Sequence, residues 1–175
     1  FLEKIQKHTI PSIRKLQTTE SYQLLNDFQI IEQLENYNPL VVGTILIEID
    51  LDESDVDIIL EANDCKELEK FLSDKFSHFQ NFEMEQRMSD NQNILVCNFI
   101  IDQIPFEIYA ENKPTHLQYG FLHMIKEFEI LNQKGIRFKN EIIQLKKLGY
   151  KTEPAFAKLL GLIGNPYDEL LRYKT

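Results

Sequence analysis

The stretch "VVGTILIEIDLDESDVDIIL", from Val41 to Leu60, combines a dense run of acidic residues with apolar residues at both ends. Its last six residues predict a strand that enters a buried core. Side chains two residues apart on a strand share a face, so Asp55 and Asp57 point the same way while the residues between and after them point into the core. Like charges on one strand face repel each other, so this pair needs a physical reason.

Divalent cations supply such a reason, because their charge cancels the repulsion between the two aspartates. A third carboxylate from a neighbouring strand would complete a two-metal site, with ions about 3.5–4 Å apart. The later stretch "PFEIYAE" offers Glu107 between Phe106 and Ile108, with its side chain on the face opposite theirs. The residues therefore predict a metal site formed by Asp55, Asp57 and Glu107.

A glycine and a threonine end the preceding apolar strand. Gly43 allows the backbone to approach a ligand closely, and Thr44 adds a hydroxyl and an N–H that suit phosphate oxygens. Ten residues separate Thr44 from Asp55. We therefore expect a phosphate-bearing ligand near the predicted metal site.

Composition excludes several classes of protein. The chain has 175 residues, enough for one domain with a full core, and a formal net charge of −9. That charge disfavours a broad nucleic-acid surface and is compatible with cationic substrates or divalent metals. No apolar run is long enough to span a membrane, and no signal peptide is predicted. Cys65 and Cys97 lie far apart, which favours a reducing, cytoplasmic location.

Periodicity predicts an α/β (α+β) protein in two parts. A helical region with a break near Pro11 comes first, and the predicted strands and one helix follow. The predicted strands cover residues 40–43, 55–62, 79–88, 94–101 and 104–110, and Asp102-Gln103 joins the last two as a hairpin. The predicted helix covers residues 65–76, with Asp64 as its cap. After Pro114 the pattern becomes helical, with Gly135 between two helices. Thr152 is the predicted cap of a third, which ends at Gly164-Asn165-Pro166. We expect an α/β core over residues 1–113 and a C-terminal helical subdomain over residues 114–175.

These motifs together resemble the nucleotidyltransferase superfamily, which includes proteins with the DNA polymerase beta-like fold. The matching pieces are Val42-Gly43-Thr44, then Asp55-Val56-Asp57-Ile58 preceded by Ser54, then Phe106-Glu107-Ile108. The resemblance covers about residues 40–111. The helical tail, with "HMIKEFEIL" and "LGYKTEPAFAKLLGL", resembles a small bacterial family of unassigned function within that superfamily.

The resemblance implies a mixed sheet with packed helices and a C-terminal helical subdomain. It also implies metal-dependent transfer of a nucleotidyl group from a nucleoside triphosphate to an unknown small acceptor. Asp55 and Asp57 would each bind two Mg²⁺ ions, and Glu107 would bind only the catalytic ion. All three would be catalytic carboxylates. Gly43, Thr44 and Ser54 would lie at the nucleotide.

One departure leaves a second function open. Many relatives carry a basic residue soon after the Gly-Ser pair, whereas residues 45–48 here carry no positive charge. Lys113, Arg137 and Lys151 are candidates for that role, and Lys151 ranks first because it directly precedes a predicted helix N-terminus. The alternative is a catalytically inactive protein that keeps the fold for binding or regulation.

The first helix after the Glu107 strand offers residues for the acceptor. His116, His123 and Glu127 follow one side of it, with His123 and Glu127 one turn apart. We expect the acceptor to bind between the sheet and this helix, with His123 or Glu127 in the cleft. The alternative is a polar stripe that faces solvent.

An EF-hand loop is another interpretation of the acidic run. Its positions 1, 3, 5 and 12 would be Asp50, Asp52, Ser54 and Glu61. The loop needs a glycine at position 6, where this chain has Asp55, and the flanking residues predict strands instead of helices.

Overall fold

The computed structural model describes residues 20–89 and 92–175. Much of the predicted N-terminal helical region, including Pro11 and His8, lies outside the described residues. Within them, helix α1 spans Glu20–Asp27, the short α2 spans Ile30–Gln33, and a 3-10 turn spans Glu35–Tyr37. The chain leaves this region at Asn38, whose left-handed backbone (φ 49°) precedes Pro39.

Five strands form one mixed sheet, which confirms the predicted fold class. They are β1 (Leu40–Val42), β2 (Val56–Glu61), β3 (Gln80–Ser89), β4 (Gln92–Ile101) and β5 (Ile104–Glu111). Their order is β1-β2-β5-β4-β3. Only the central pair of β2 and β5 is parallel, and the other neighbours are antiparallel.

The predicted hairpin between β4 and β5 is confirmed. Asp102 and Gln103 connect the strands, and both have positive φ angles, 48° and 71°. A two-residue loop of this kind matches the right-handed twist of the strands on either side. It fixes the register of β5, and so decides which face of the sheet Glu107 occupies.

One face of the sheet is apolar and packs against helix α3 (Cys65–Phe76). Asp64 caps this helix, as predicted, because its Oδ1 accepts hydrogen bonds from the backbone N–H groups of Lys66 (2.8 Å) and Glu67 (3.2 Å). The rings of Phe76 and Phe99 stack at 5.3 Å between centroids. The main apolar core therefore lies between α3 and the sheet, and the polar residues of β2 and β5 occupy the opposite face.

Helices cover part of that opposite face. Helix α4 spans Tyr119–Lys147 and contains a break at Gly135, where φ is 79° and ψ is −174°. Near its start, Gly120 lies close to the side chains of Val42 and Ile59. His116 precedes this helix, in an exposed position of a 3-10 turn, so it does not share the helical side with His123.

Two shorter helices complete the C-terminal region and correct two predictions. Helix α5 spans Thr152–Leu160, so Thr152 is its first residue and Lys151 occupies the cap position. The helix ends at Gly161, which is left-handed, before the predicted end at residue 164. The sequence prediction also missed helix α6, Pro166–Arg172, which Asn165 caps.

One buried apolar cluster runs through both predicted parts of the chain. It includes Leu40 and Ile58 of the sheet together with Met124 of α4 and Phe156 of α5. The boundary after residue 113 therefore stays a prediction. Among the helices of the described residues, none is both long and apolar enough to cross a lipid bilayer.

Candidate functional site

A cavity of about 360 Å³ lies between the polar face of the sheet and helix α4. Six of the residues singled out from the sequence line it: Gly43, Thr44, Asp57, Glu107, His123 and Glu127. Three others, Ser54, Asp55 and Lys151, are not among the lining residues. The structure therefore brings together most of the predicted site, drawn from β1, β2, β5 and α4.

Strand register places Asp57 beside Glu107. The two residues are direct partners in the parallel pairing of β2 with β5, and Val42 is the partner of Asp57 on the other side. Neighbouring partners in a sheet project from the same face. The two carboxylates therefore share the floor of the cavity.

The glycine that follows β1 makes room for Asp57. A Cβ atom on Gly43 would collide with Oδ2 of Asp57, and the glycine backbone has a φ of 88° that other residues rarely adopt. The side chain of Asp57 therefore requires a glycine at position 43, whether or not a ligand also approaches this backbone.

Burial and repulsion disturb the acids on the cavity floor. The pKa of Asp57 is raised to about 8, mainly by burial and also by the charges of Asp55 and Glu107. Burial and the charge of Asp55 also raise the pKa of Glu107. A carboxyl group with such a pKa holds its proton until a cation offsets the burial and the repulsion.

Asp55 and Ser54 lie just before β2 and outside the cavity lining. Asp55 still acts on the site, since its charge contributes to the raised pKa of both Asp57 and Glu107. The hydroxyl of Ser54 accepts a hydrogen bond from the backbone N–H of Leu51 (2.9 Å). Ser54 therefore closes the turn before β2.

The acidic run before β2 does not form an EF-hand. Glu61, the proposed last ligand, lies in β2 and accepts a hydrogen bond from Asn38 (3.1 Å). The loop is flanked by strand β2 and not by a pair of helices, so this interpretation is wrong.

Oxygen ligands that suit Mg²⁺ are present on the cavity floor. Asp57 and Glu107 supply four carboxylate oxygens in adjacent positions, and Asp55 lies close enough to raise both of their pKa values. Within residues 20–89 and 92–175, however, no three His, Cys, Asp or Glu side chains already converge on one point. The chemistry of the side chains fits a divalent cation, and their present orientations do not yet form a ligand shell.

His123 is buried and holds three helices together. Its Nε2 lies 3.1 Å from the backbone oxygen of Tyr167 in α6, and its Nδ1 lies 3.3 Å from Oε1 of Glu153 in α5. Both partners are hydrogen-bond acceptors, so whichever ring nitrogen carries a proton can donate to the oxygen beside it. The interaction with His123 also lowers the pKa of Glu153, against the effect of burial.

Glu127 is the most deeply buried acid of the cavity, with 4% of its surface exposed. Burial is the main cause that raises its pKa well above the usual range, and the charge of Glu153 adds to it. Among the described residues, no hydrogen-bond partner of its carboxyl group is found. The solvent-facing polar stripe that the sequence left open is therefore wrong for both His123 and Glu127.

The three basic residues proposed from the sequence do not line the cavity. Lys151 is exposed at the start of α5. Lys113 lies over the ring of Tyr119, 4.9 Å from its centroid, and Arg137 pairs with Glu141 on the surface (3.1 Å). None of them faces the carboxylates on the cavity floor.

A lysine that the sequence analysis missed lies near these carboxylates instead. Nζ of Lys146, in the last turns of α4, donates a hydrogen bond to the backbone oxygen of Ile49 (2.7 Å). Its charge lowers the pKa of both Asp57 and Glu127. The segment after Thr44 carries no cation because residues 46, 47 and 49 are buried in the apolar core. No local sequence pattern links Lys146 to this segment.

Three residues that the sequence did not single out also line the cavity: Tyr109, Glu111 and Glu153. Tyr109 and Glu111 follow Glu107 at steps of two along β5, so the alternation in "PFEIYAE" could have identified them. Glu153 reaches the cavity from α5, and nothing in the local sequence indicates its partner His123.

Comparison with known proteins agrees with this architecture. A structure of Cid1, described with its RNA terminal uridylyl transferase activity, matches with 10% identity and a TM-score of 0.56, covering 84% of this chain and 50% of that chain. Cid1 poly(U) polymerase with Mg 3′-dATP bound matches with 12% identity and a TM-score of 0.54, covering 86% and 46%. The GLD-2/RNP-8 complex matches with 15% identity and a TM-score of 0.53, covering 80% and 55%.

These likenesses show the fold, and this chain spans about half the length of the solved chains it matches. No curated protein matches the sequence. The family model described as "Domain of unknown function (DUF4269)" matches residues 23–173. Because that match covers most of the sequence, the chain belongs to the DUF4269 family, and its fold is that of the nucleotidyltransferases.

Proposed function

We propose that this chain transfers a nucleotidyl group from a nucleoside triphosphate to a small-molecule acceptor with the help of Mg²⁺. The observation that carries the proposal is the pair Asp57 and Glu107 on the cavity floor, with the pKa of Asp57 raised to about 8 by burial and by the neighbouring acids. A solved structure of the same fold carries Mg 3′-dATP, which supports this choice of ligand.

The proposed roles follow the position of each residue. Asp55 and Asp57 would hold two Mg²⁺ ions and Glu107 the catalytic one, once their side chains turn toward the ions. Bound Mg²⁺ would lower the pKa of an acceptor hydroxyl and offset the charge of the leaving pyrophosphate. The backbone at Gly43 and the hydroxyl of Thr44 would contact the phosphates from the edge of the cavity.

The charge of Lys146 supports the same function. Lys146 does not line the cavity, but its charge acts on Asp55 and Asp57, so it would offset part of the negative charge that a nucleotide brings. The acceptor would occupy the part of the cavity near His123 and Glu127, on the helix side. The cytoplasmic location stays a prediction, and the two cysteines, both free and buried, agree with it.

Binding of ATP, UTP, GTP and CTP with and without Mg²⁺ tests the proposal. We expect at least one nucleotide to bind, with Mg²⁺ strengthening the binding, and Asp57→Asn and Glu107→Gln to remove the effect of Mg²⁺. Asp102→Asn, in the exposed hairpin turn, is the matched control and should behave as the parent. Nucleotide binding that is indifferent to Mg²⁺ and to both site variants would contradict the proposal.

A catalytically inactive binding or regulatory protein is the second candidate. It is favoured by the carboxylates that do not yet converge and by a cavity lining that holds no lysine or arginine among the described residues. Release of pyrophosphate separates the two functions. Mg²⁺-dependent nucleotide binding without pyrophosphate release, across a panel of hydroxyl-bearing acceptors, would favour this second candidate.

A further inference from the structure

The charged residues of the cavity lining are acids. Among the described residues, its lining holds five carboxylic acids and no lysine or arginine: Asp57, Glu107, Glu111, Glu127 and Glu153. The proposed Mg²⁺ site accounts for the first two of these. The acids on the helix side, Glu127 and Glu153, have no role in that site.

Glu153 already has a partner, and Glu127 does not. The imidazole of His123 lies 3.3 Å from Oε1 of Glu153 and lowers its pKa. Glu127 is 4% exposed and lines the same cavity, yet no hydrogen bond from another described residue reaches its carboxyl group. The carboxyl group of Glu127 therefore faces the cavity and is free to accept a hydrogen bond from a donor on a ligand.

A lysine on the same helix does not fill this role. Lys146 acts on Glu127 through its charge, but its Nζ donates to the backbone oxygen of Ile49 at 2.7 Å. It also does not line the cavity. The position facing Glu127 from the cavity is therefore open to a donor that a ligand brings.

We infer that Glu127 binds an ammonium group of the acceptor, so that the acceptor is a small amine that also carries a hydroxyl. That this amine is the acceptor rests on the proposed function. The ammonium site itself is inferred from the residues of the cavity alone. The acceptor shares a cavity of about 360 Å³ with the nucleotide, so it is a small molecule. The burial that raises the pKa of Glu127 is offset when an ammonium group lies beside it.

The test uses two probes that share a three-carbon skeleton and a central hydroxyl but end in ammonium groups in one and hydroxyl groups in the other. They are 1,3-diamino-2-propanol and glycerol, titrated into the metal-free protein without nucleotide and followed by NMR or calorimetry. We expect the diamine to bind at least about tenfold more tightly than glycerol, since hydrogen bonds to charged groups are the strong ones.

Glu127→Gln keeps the shape of the side chain and removes its charge. We expect this variant to lose about tenfold or more in affinity for the diamine and to leave glycerol unaffected. Glu129→Gln is the matched control, because Glu129 lies on the same helix, is exposed and pairs with Lys126 (3.0 Å). It should bind the diamine as the parent does. Glu127→Asp, which withdraws the charge by one methylene, is the second variant should Glu127→Gln not fold.

The outcomes separate this inference from the proposed function. Equal affinity for the two probes, or diamine binding that Glu127→Gln leaves unchanged, would overturn the ammonium site while Mg²⁺-dependent nucleotide binding could still hold. Diamine binding lost in Glu127→Gln, in a protein that binds no nucleotide, would uphold the ammonium site and overturn the proposed function.

Discussion

At the scale of single residues, the site is governed by how close Asp57 lies to other atoms. Oδ2 of Asp57 occupies the space that a Cβ on Gly43 would need, and Glu107 is its direct partner across the parallel strands. These contacts hold an acid in a half-buried position beside another acid. The arrangement costs free energy in the metal-free protein and is relieved by a proton or a cation.

The protonation of Asp57 predicts how stability changes with pH. Its pKa is about 8 in the folded chain, against an ordinary value of 3.8. Between about pH 4 and 8 the folded chain holds a proton that the unfolded chain releases, so stability falls as pH rises through this window. We expect Asp57→Asn to remove this fall, and to be more stable than the parent above pH 8 by a few kcal/mol, at about 1.4 kcal/mol per pKa unit.

Urea unfolding of both proteins in EDTA, from pH 5 to 9, measures this difference. Melts with added Mg²⁺ complete the test, since the parent should gain stability from the ion and the variant should gain less. Clear destabilisation of the metal-free protein by Asp57→Asn would instead identify the residue as a structural hydrogen-bond acceptor.

Gly43 gives a second prediction at this scale. We expect Gly43→Ala to destabilise the protein through both its left-handed backbone and the collision with Asp57. Gly149→Ala is a matched control, because Gly149 has a φ of 91° and no atom within 4 Å of the added Cβ. The control should lose about 1–2 kcal/mol from the backbone alone. Equal losses in the two variants, measured by urea unfolding, would show that Asp57 moves aside without cost.

At the scale of elements, the break in α4 gives one helix two separate roles. Gly135 has a φ of 79° and a ψ of −174°, a conformation that is nearly confined to glycine. The part before it carries His123 and Glu127 into the cavity. The part after it packs on the turn that follows Thr44, where Nζ of Lys139 lies 2.7 Å from Oε2 of Glu48.

Lys146, in this second part, gives the prediction for the element. Lys146→Met leaves the carbonyl of Ile49 without its donor and removes a positive charge near Asp55 and Asp57. We expect a loss of about 1–3 kcal/mol in unfolding free energy and weaker binding of the anionic nucleotide.

The matched control is Lys147→Met, at the next position, which is exposed to solvent. Urea unfolding and nucleotide titration of both variants give the comparison. Nucleotide binding that survives Lys146→Met unchanged would show that the phosphates find their positive charge elsewhere, first at Lys151.

At the scale of the whole molecule, the shared apolar core decides how the chain unfolds. The cluster that joins Leu40 and Ile58 to Met124 and Phe156 crosses the predicted boundary after residue 113. We expect one cooperative transition, with the same midpoint by circular dichroism and by fluorescence. Tyrosine supplies the fluorescence because the chain has no tryptophan. A chain that ends at residue 113 should lack a cooperative transition. Two separate transitions, or a stable shortened chain, would support two independent domains.

The sequence by itself determined the local features of this protein. The alternation of apolar and acidic residues around Asp57 and Glu107 indicated two strands, each with a carboxylate on the polar face. The Gly43-Thr44 pair and the Asp102-Gln103 turn could be predicted from the sequence, because strand ends and tight turns depend on short-range backbone chemistry. The fold class followed from these patterns together with the resemblance of the motifs.

Only the tertiary structure decided which distant residues meet. The parallel register of β2 with β5 brought Asp57 beside Glu107, and the packing of α4 brought Lys146 to Ile49, 97 positions away along the chain. The meeting of His123 with Glu153 likewise depends on how α4 and α5 pack. Periodicity predicts the face of a strand or helix on which a side chain lies. Which distant residue it contacts there depends on how the whole core packs.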